Sequence, residues 1–178
     1  MIPQSEILRY RTYSQYSSEI IVEGAIRSGQ QTAFLSHSHL DHDLARGVQG
    51  FLQSQGWMVY IDWQDVTLPS SPNSETASKI KSRIRQLDWF LFLATKNSIE
   101  SRWCPWEIGY ADGVKTYDDI VILPTTDSMG RFYGNEYLNL YRSLQHSSLY
   151  PQLVECRTPG IGYPTGLRAM QPHRVNRR

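Results

Sequence analysis

The chain of 178 residues is long enough for one domain with flanking segments, and its formal charge of +1 gives no overall pull toward nucleic acid or an anionic membrane surface. Hydrophobic residues make up 40% of it, with five Trp and eleven Tyr, so a core is affordable, yet no apolar run approaches the roughly 20 residues of a membrane span. Cys104 and Cys156 are too far apart to form a disulfide framework, and the start lacks the basic-then-apolar pattern of a signal peptide; the expected setting is the cytoplasm.

Residues 1–30 are polar and Tyr-rich with apolar patches at Ile20–Val22 and Ala25–Ile26, and read as an N-terminal arm or helix. A strand–helix alternation begins at Thr32–Ser36, a short apolar run of strand length. Leu40, Leu44, Val48 and Leu52 then recur every four residues, one face of a helix that opens at Ser38-x-x-Asp41, like a capping box, and stops at Gly56. Trp57–Asp62 is the second strand. A Pro/Ser-rich loop, Leu68–Ser74, leads to a helix traced by Ala77, Ile80, Ile84 and Leu87. WFLFLA, Trp89–Ala94, is apolar on both faces, as the middle of a covered parallel sheet is. Pro105 suits the first turn of a third helix, Gly113 its end, and Ile120–Leu123 a fourth strand. Tyr137–Leu144 holds a short strand or helix, and Cys156–Gly166 reads as irregular loop.

This alternation predicts an α/β domain over 31–150 with a parallel sheet, followed by an irregular C-terminal tail over 151–178. Ligands of such sheets sit outside the carboxyl ends of the strands, where neighbouring connections diverge. Three loops leave those ends: Ser36–Leu40, Asp62–Ser74 and Thr95–Trp106. With the first strand beside the third, Ser36, His37 and Ser38 face Trp103 and Glu107 across a crevice, with Asp62 and Trp63 nearby.

SHSHLDHD, Ser36–Asp43, also spells H-x-H-x-D-H through His37, His39, Asp41 and His42, which resembles the ligand run of metallo-β-lactamase-like hydrolases. Two metals require further ligands from later strands, and the only later histidines are His146 and His173, in weakly patterned sequence. Ser38 and Asp41 as helix caps explain the run without a metal, and no metal is expected.

The crevice residues carry a closer likeness. FLSHSHLDHDLA resembles the first strand and helix start of a TIR (Toll/interleukin-1 receptor) domain, WMVYIDWQD its second strand ending in Asp62, and SRWCPWEIGYADG its W-x-x-x-E segment, Trp103 to Glu107. The motifs run in order over about Thr32–Pro124. The resemblance implies a flavodoxin-like three-layer α/β domain with a parallel sheet of about five strands. It also implies an NAD glycohydrolase or ADP-ribosyl cyclase that cuts the nicotinamide–ribose bond, with Glu107 catalytic and Ser36, His37, Ser38, Asp62, Trp63 and Trp103 binding substrate. NAD is then a substrate rather than a cofactor. Self-association, a role in antiphage or immune-like defence and a downstream effector that senses the nucleotide product are implied too. The loop after the second strand reads LPSSPNSE, without the Pro-Gly pair that many TIR domains carry there. The rival expectation is a TIR–TIR interaction module with no catalysis.

Overall fold

The computed structural model describes residues 1–11, 18–69, 71, 73–147 and 150–156. The chain begins with β1 (Ile2–Pro3), α1 (Gln4–Ile7), a 3₁₀ turn at Leu8–Tyr10 and α2 (Ser18–Ser28). The alternation follows as β2 (Thr32–Ser36), α3 (His42–Ser54), β3 (Met58–Tyr60), α4 (Ser74–Gln86), β4 (Trp89–Ala94), α5 (Lys96–Glu100), α6 (Cys104–Asp112) and β5 (Ile120–Thr126). It closes with β6 (Arg142–Ser147) and β7 (Tyr150–Cys156).

Strand order is β3-β2-β4-β5-β6-β7. The first five of these are mutually parallel, and β7 runs antiparallel to β6. This is the five-stranded parallel sheet of a flavodoxin-like domain. From β2 the chain turns outward to β3 and then back across to β4, so connections diverge between β2 and β4.

Alternation along each strand sorts the sheet into two cores. Ala33, Leu35, Leu91, Leu93, Val121 and Leu123 face α1 and α3, meeting Ile7, Leu44, Val48 and Leu52. Phe34, Phe90, Phe92, Ala94, Ile120 and Ile122 face the other way, against Val22, Ile80, Ile84 and Ile108 from α2, α4 and α6. All six residues of β4 are buried. Each large apolar side chain there contributes about 1.5–3 kcal/mol, against roughly 1–2 kcal/mol per residue for ordering backbone, so the central strand is the firmest part of the fold.

Local signals set the ends of the elements. Asn73 Oδ1 accepts hydrogen bonds from the backbone N–H of Glu75 and Thr76, and the Thr76 hydroxyl accepts the Asn73 N–H in return, a capping box that starts α4. Gly56 turns the chain after α3 at φ +82°, a conformation that favours glycine.

Two segments differ from the sequence reading. Residues 1–11 are built into the domain: β1 pairs with the far end of β5, and Ile2 and Ile7 belong to the core. α1 presses so closely on α3 that a Cβ on Gly47 would lie 2.3 Å from the Ile7 carbonyl oxygen. The stretch Tyr137–Leu144, expected to hold a short strand or helix, has a 3₁₀ turn at Leu138–Leu140 and the start of β6. β7 occupies part of the segment read as irregular, because its backbone completes the open edge of β6. The rest of that tail, with His173, lies outside the described residues.

Candidate active site

β2 ends at Ser36, whose backbone is fixed by pairing with Phe92 of β4. Its hydroxyl donates to Oε2 of Glu107 over 2.6 Å, a contact between residues 71 apart. Glu107 lies in the first turn of α6. Pro105 opens that helix, and Ser101 Oγ accepts the N–H of Trp103 and Cys104 just before it. Glu107 as a whole is only 4% exposed. Burial, followed by the charge of Asp62, pushes its pKa up from 4.5 to about 8, against the opposing Ser36 hydrogen bond. The neighbouring Cys104 thiol is pushed up to about 12, by burial first and then by Glu107, which makes it a poor nucleophile.

His37 is buried beside them. Its Nδ1 lies 3.0 Å from the Leu35 carbonyl, and its Nε2 accepts the indole N–H of Trp63 at 2.9 Å. Donor at Nδ1 and acceptor at Nε2 together select the neutral Nδ1–H tautomer. Both ring nitrogens are thus occupied inside the protein. His37 braces Trp63 and has no nitrogen left to offer to phosphate, ribose or a metal.

Trp63 sits in the 3₁₀ turn Asp62–Gln64 after β3. The Arg46 guanidinium lies 4.9 Å over its ring and the His42 ring 4.6 Å from it. His42 has its pKa lowered, by burial first and then by His37, His39 and Arg46. Asp62 accepts the Trp63 N–H and keeps about a third of its side chain exposed. Trp103 stands edge-on to Trp106, centroids 5.3 Å apart, and is half-buried.

The capping-box start expected at Ser38-x-x-Asp41 is redistributed. Ser38 caps a 3₁₀ turn, His39–Asp41, by accepting the Leu40 N–H. Asp41, also buried, turns away from the helix instead. Its two oxygens accept Thr95 Oγ1 at 2.5 Å and Asn97 Nδ2 at 2.6 Å. His39 and His42 are exposed while His37 is buried, so the H-x-H-x-D-H run points in several directions. Among the described residues no three His, Cys, Asp or Glu side chains gather as a metal would need.

The turn after β3 is held by Asp65. Its carboxylate accepts Tyr60 OH at 2.7 Å, Thr67 Oγ1 at 2.6 Å and the Thr67 N–H at 3.0 Å, with Arg83 3.9 Å away. Lys79 on α4 donates to the Thr67 carbonyl. Sequence reasoning missed Asp65, Thr95 and Asn97, along with the short helix α5. The one local signal was Thr95-x-x-Ser98, whose reciprocal caps start α5.

The arrangement therefore brings Ser36, His37, Ser38, Asp62, Trp63, Trp103 and Glu107 to the carboxyl ends of β2, β3 and β4, as the topology expects. A cavity of about 40 Å³ elsewhere, lined by Ile7, Tyr10, Gly47 and Phe51, lies on the opposite side of the sheet from α6 and is too small for a nucleotide. Among the described residues no helix is long and apolar enough to cross a membrane.

Over 112 residues the chain is 39% identical to a Bacillus cereus (strain MSX-D12) protein named "Probable 3' cyclic ADP-D-ribose synthase ThsB'". That match takes in 61% of this chain and 57% of the relative, so the chain spans little more than half the length of the curated relative it matches. The family described as the TIR domain matches residues 33–150, from the second residue of β2 to the first of β7. With more than half of its residues matched, the chain belongs to the TIR domain family.

Proposed function

We propose that the protein cleaves the nicotinamide–ribose bond of NAD, with Glu107 as the catalytic carboxylate, and that it releases nicotinamide and a cyclic ADP-ribose. The observation that carries this reading is a buried carboxyl at the switch point of a parallel sheet, held by Ser36 and flanked by Asp62 and Trp103.

The chemistry suits these groups. As the glycosidic bond breaks, its electron pair leaves with nicotinamide, whose ring nitrogen loses its charge, and positive charge develops on the ribose. An ionised Glu107 beside that sugar stabilises the charge. Nicotinamide then needs no general acid, and the reaction so written uses no metal or organic cofactor. Trp103 walls the nicotinamide ring, and the exposed part of Asp62 accepts from ribose hydroxyls. The burial of Glu107 favours capture of the ribose cation by another group of the same ADP-ribose over capture by water, with loss of a proton. The relative's name, a cyclic ADP-D-ribose synthase, points to the same product class.

His37 serves in this reading as the brace of Trp63, since both its ring nitrogens are engaged. A cytoplasmic setting, self-association through the TIR domain, a defence role and a downstream effector that senses the cyclic product complete the proposal.

One observation favours a second reading, a non-catalytic interaction module: Glu107 is 4% exposed and its burial keeps it from ionising readily. Incubating purified protein with NAD beside Glu107→Ala decides between them. Nicotinamide release by wild type alone, with a product lighter than ADP-ribose by one water, supports the cyclase. ADP-ribose instead means hydrolysis, and equal release from both proteins removes Glu107 from the chemistry.

A further inference from the structure

We propose that Ser36 is a positioning residue that anchors Oε2 of Glu107, so that Oε1 is the oxygen turned toward the ribose. The inference rests on the reading of Glu107 as the catalytic carboxylate, and it takes Ser36 out of direct contact with substrate.

Three observations carry it. First, Ser36 is 1% exposed, and its single hydroxyl proton is already given to Glu107. Second, its backbone cannot drift: it is the last paired residue of β2, in register with Phe92 at the centre of the sheet. Third, the two carboxylate oxygens are unlike. Oε2 takes the Ser36 hydrogen bond, whereas Oε1 takes none from a described residue. A carboxylate on a flexible side chain would otherwise present either oxygen. Here the hydroxyl fixes which one.

The bond also bears on charge. A hydroxyl donating to a carboxylate favours its ionised form, so Ser36 opposes the burial and the Asp62 charge that keep Glu107 neutral. The other ionisable groups nearby are accounted for. Cys104, on the same helix, contributes a thiol that stays neutral. His37 lies 3.8 Å from Asp62, and Lys81 and Arg85 of α4 lie over the rings of Trp106 and Tyr110.

The test compares wild type, Ser36→Ala and Ser36→Thr in the full chain. With carboxyl-labelled glutamate, the Glu107 carbon signal is assigned by its loss in Glu107→Gln and titrated by NMR. In Ser36→Ala its midpoint moves up by about one unit or more, and in Ser36→Thr it stays near that of wild type. In the nicotinamide assay the acid limb of kcat/KM for Ser36→Ala moves up by the same amount, and the plateau falls about tenfold to a hundredfold. A serine that merely packs would leave both midpoints in place, and that result overturns the proposal. A shifted NMR midpoint in a protein whose wild type releases no nicotinamide would overturn the catalytic reading of Glu107 and leave the anchoring by Ser36 standing.

Discussion

Asp41 and Thr95 meet at 2.5 Å, carboxylate to hydroxyl, at a buried point where the loop leaving β2 touches the loop leaving β4. Asn97 closes the other side of the same carboxylate at 2.6 Å. These bonds tie the two lips of the crevice together. Hydrogen bonds to a charged group contribute about 1.5–3 kcal/mol each, so Asp41→Ala is expected to cost about 3 kcal/mol in urea unfolding, with Asp41→Asn intermediate because the amide accepts through one oxygen only. A loss below about 1 kcal/mol for the alanine variant would mean that water replaces the carboxylate there.

Glu107 makes stability depend on pH in a definite direction. Below about 4.5 the carboxyl is neutral in both folded and unfolded chains. Between 4.5 and about 8 the unfolded chain ionises while the folded one holds its proton, so stability falls as pH rises through this window and levels off above it. Glu107→Gln lacks the titration. Its melting temperature should exceed that of wild type at pH 8 by several degrees and match it closely near pH 4.5. The same gap at both pH values would show that the effect does not come from this carboxyl.

Trp63 and His37 offer a spectroscopic check of the tautomer. Nitrogen NMR of the imidazole should show a protonated Nδ1 and a bare, hydrogen-bonded Nε2, and Trp63→Phe should move the Nε2 signal while Nδ1 stays bonded to Leu35. A proton found on Nε2 in the wild type would refute the assignment. The lost indole hydrogen bond costs about 1 kcal/mol, and the smaller phenyl face under Arg46 weakens that contact as well.

Asp65 anchors the turn after β3 through Tyr60 and Thr67. Burial raises its pKa, but the hydroxyls of Thr67 and Tyr60 and the Thr67 N–H together bring it below the ordinary value, so it is ionised at neutral pH. Asp65→Ala is expected to speed amide exchange across residues 62–69 at least tenfold, while β4, buried along its whole length, keeps its protection. Unchanged exchange in the turn would place its anchor elsewhere, with the Lys79 contact to Thr67 as the next candidate.

Periodicity made the central fold legible. β2 and β4 begin and end where their apolar runs do, and Glu107 meets Ser36 because strand order and helix placement follow from the alternation. The misreadings share one cause, which is that the partner lies far away in the chain. Nothing near Asp41 says that its oxygens belong to Thr95 and Asn97, because a capping pattern and a long-range anchor use the same residue type. His37 likewise reads as an available ligand until Trp63 is seen to occupy it. β7 has its reason in the edge of β6 rather than in its own composition.

β1 carries that long-range dependence furthest. Gln4, just after it, donates to Thr125 across a sequence separation of 121 residues, beside the pairing of Ile2 with Thr125. A chain growing on the ribosome exposes Ile2 and Ile7 long before β5 exists to receive them. This short segment must therefore be among the last parts of the domain to settle, although Gly47, on which α1 packs, is made well before β5. Slow translation through β5 would lengthen the interval in which the apolar β1–α1 segment stays unpaired.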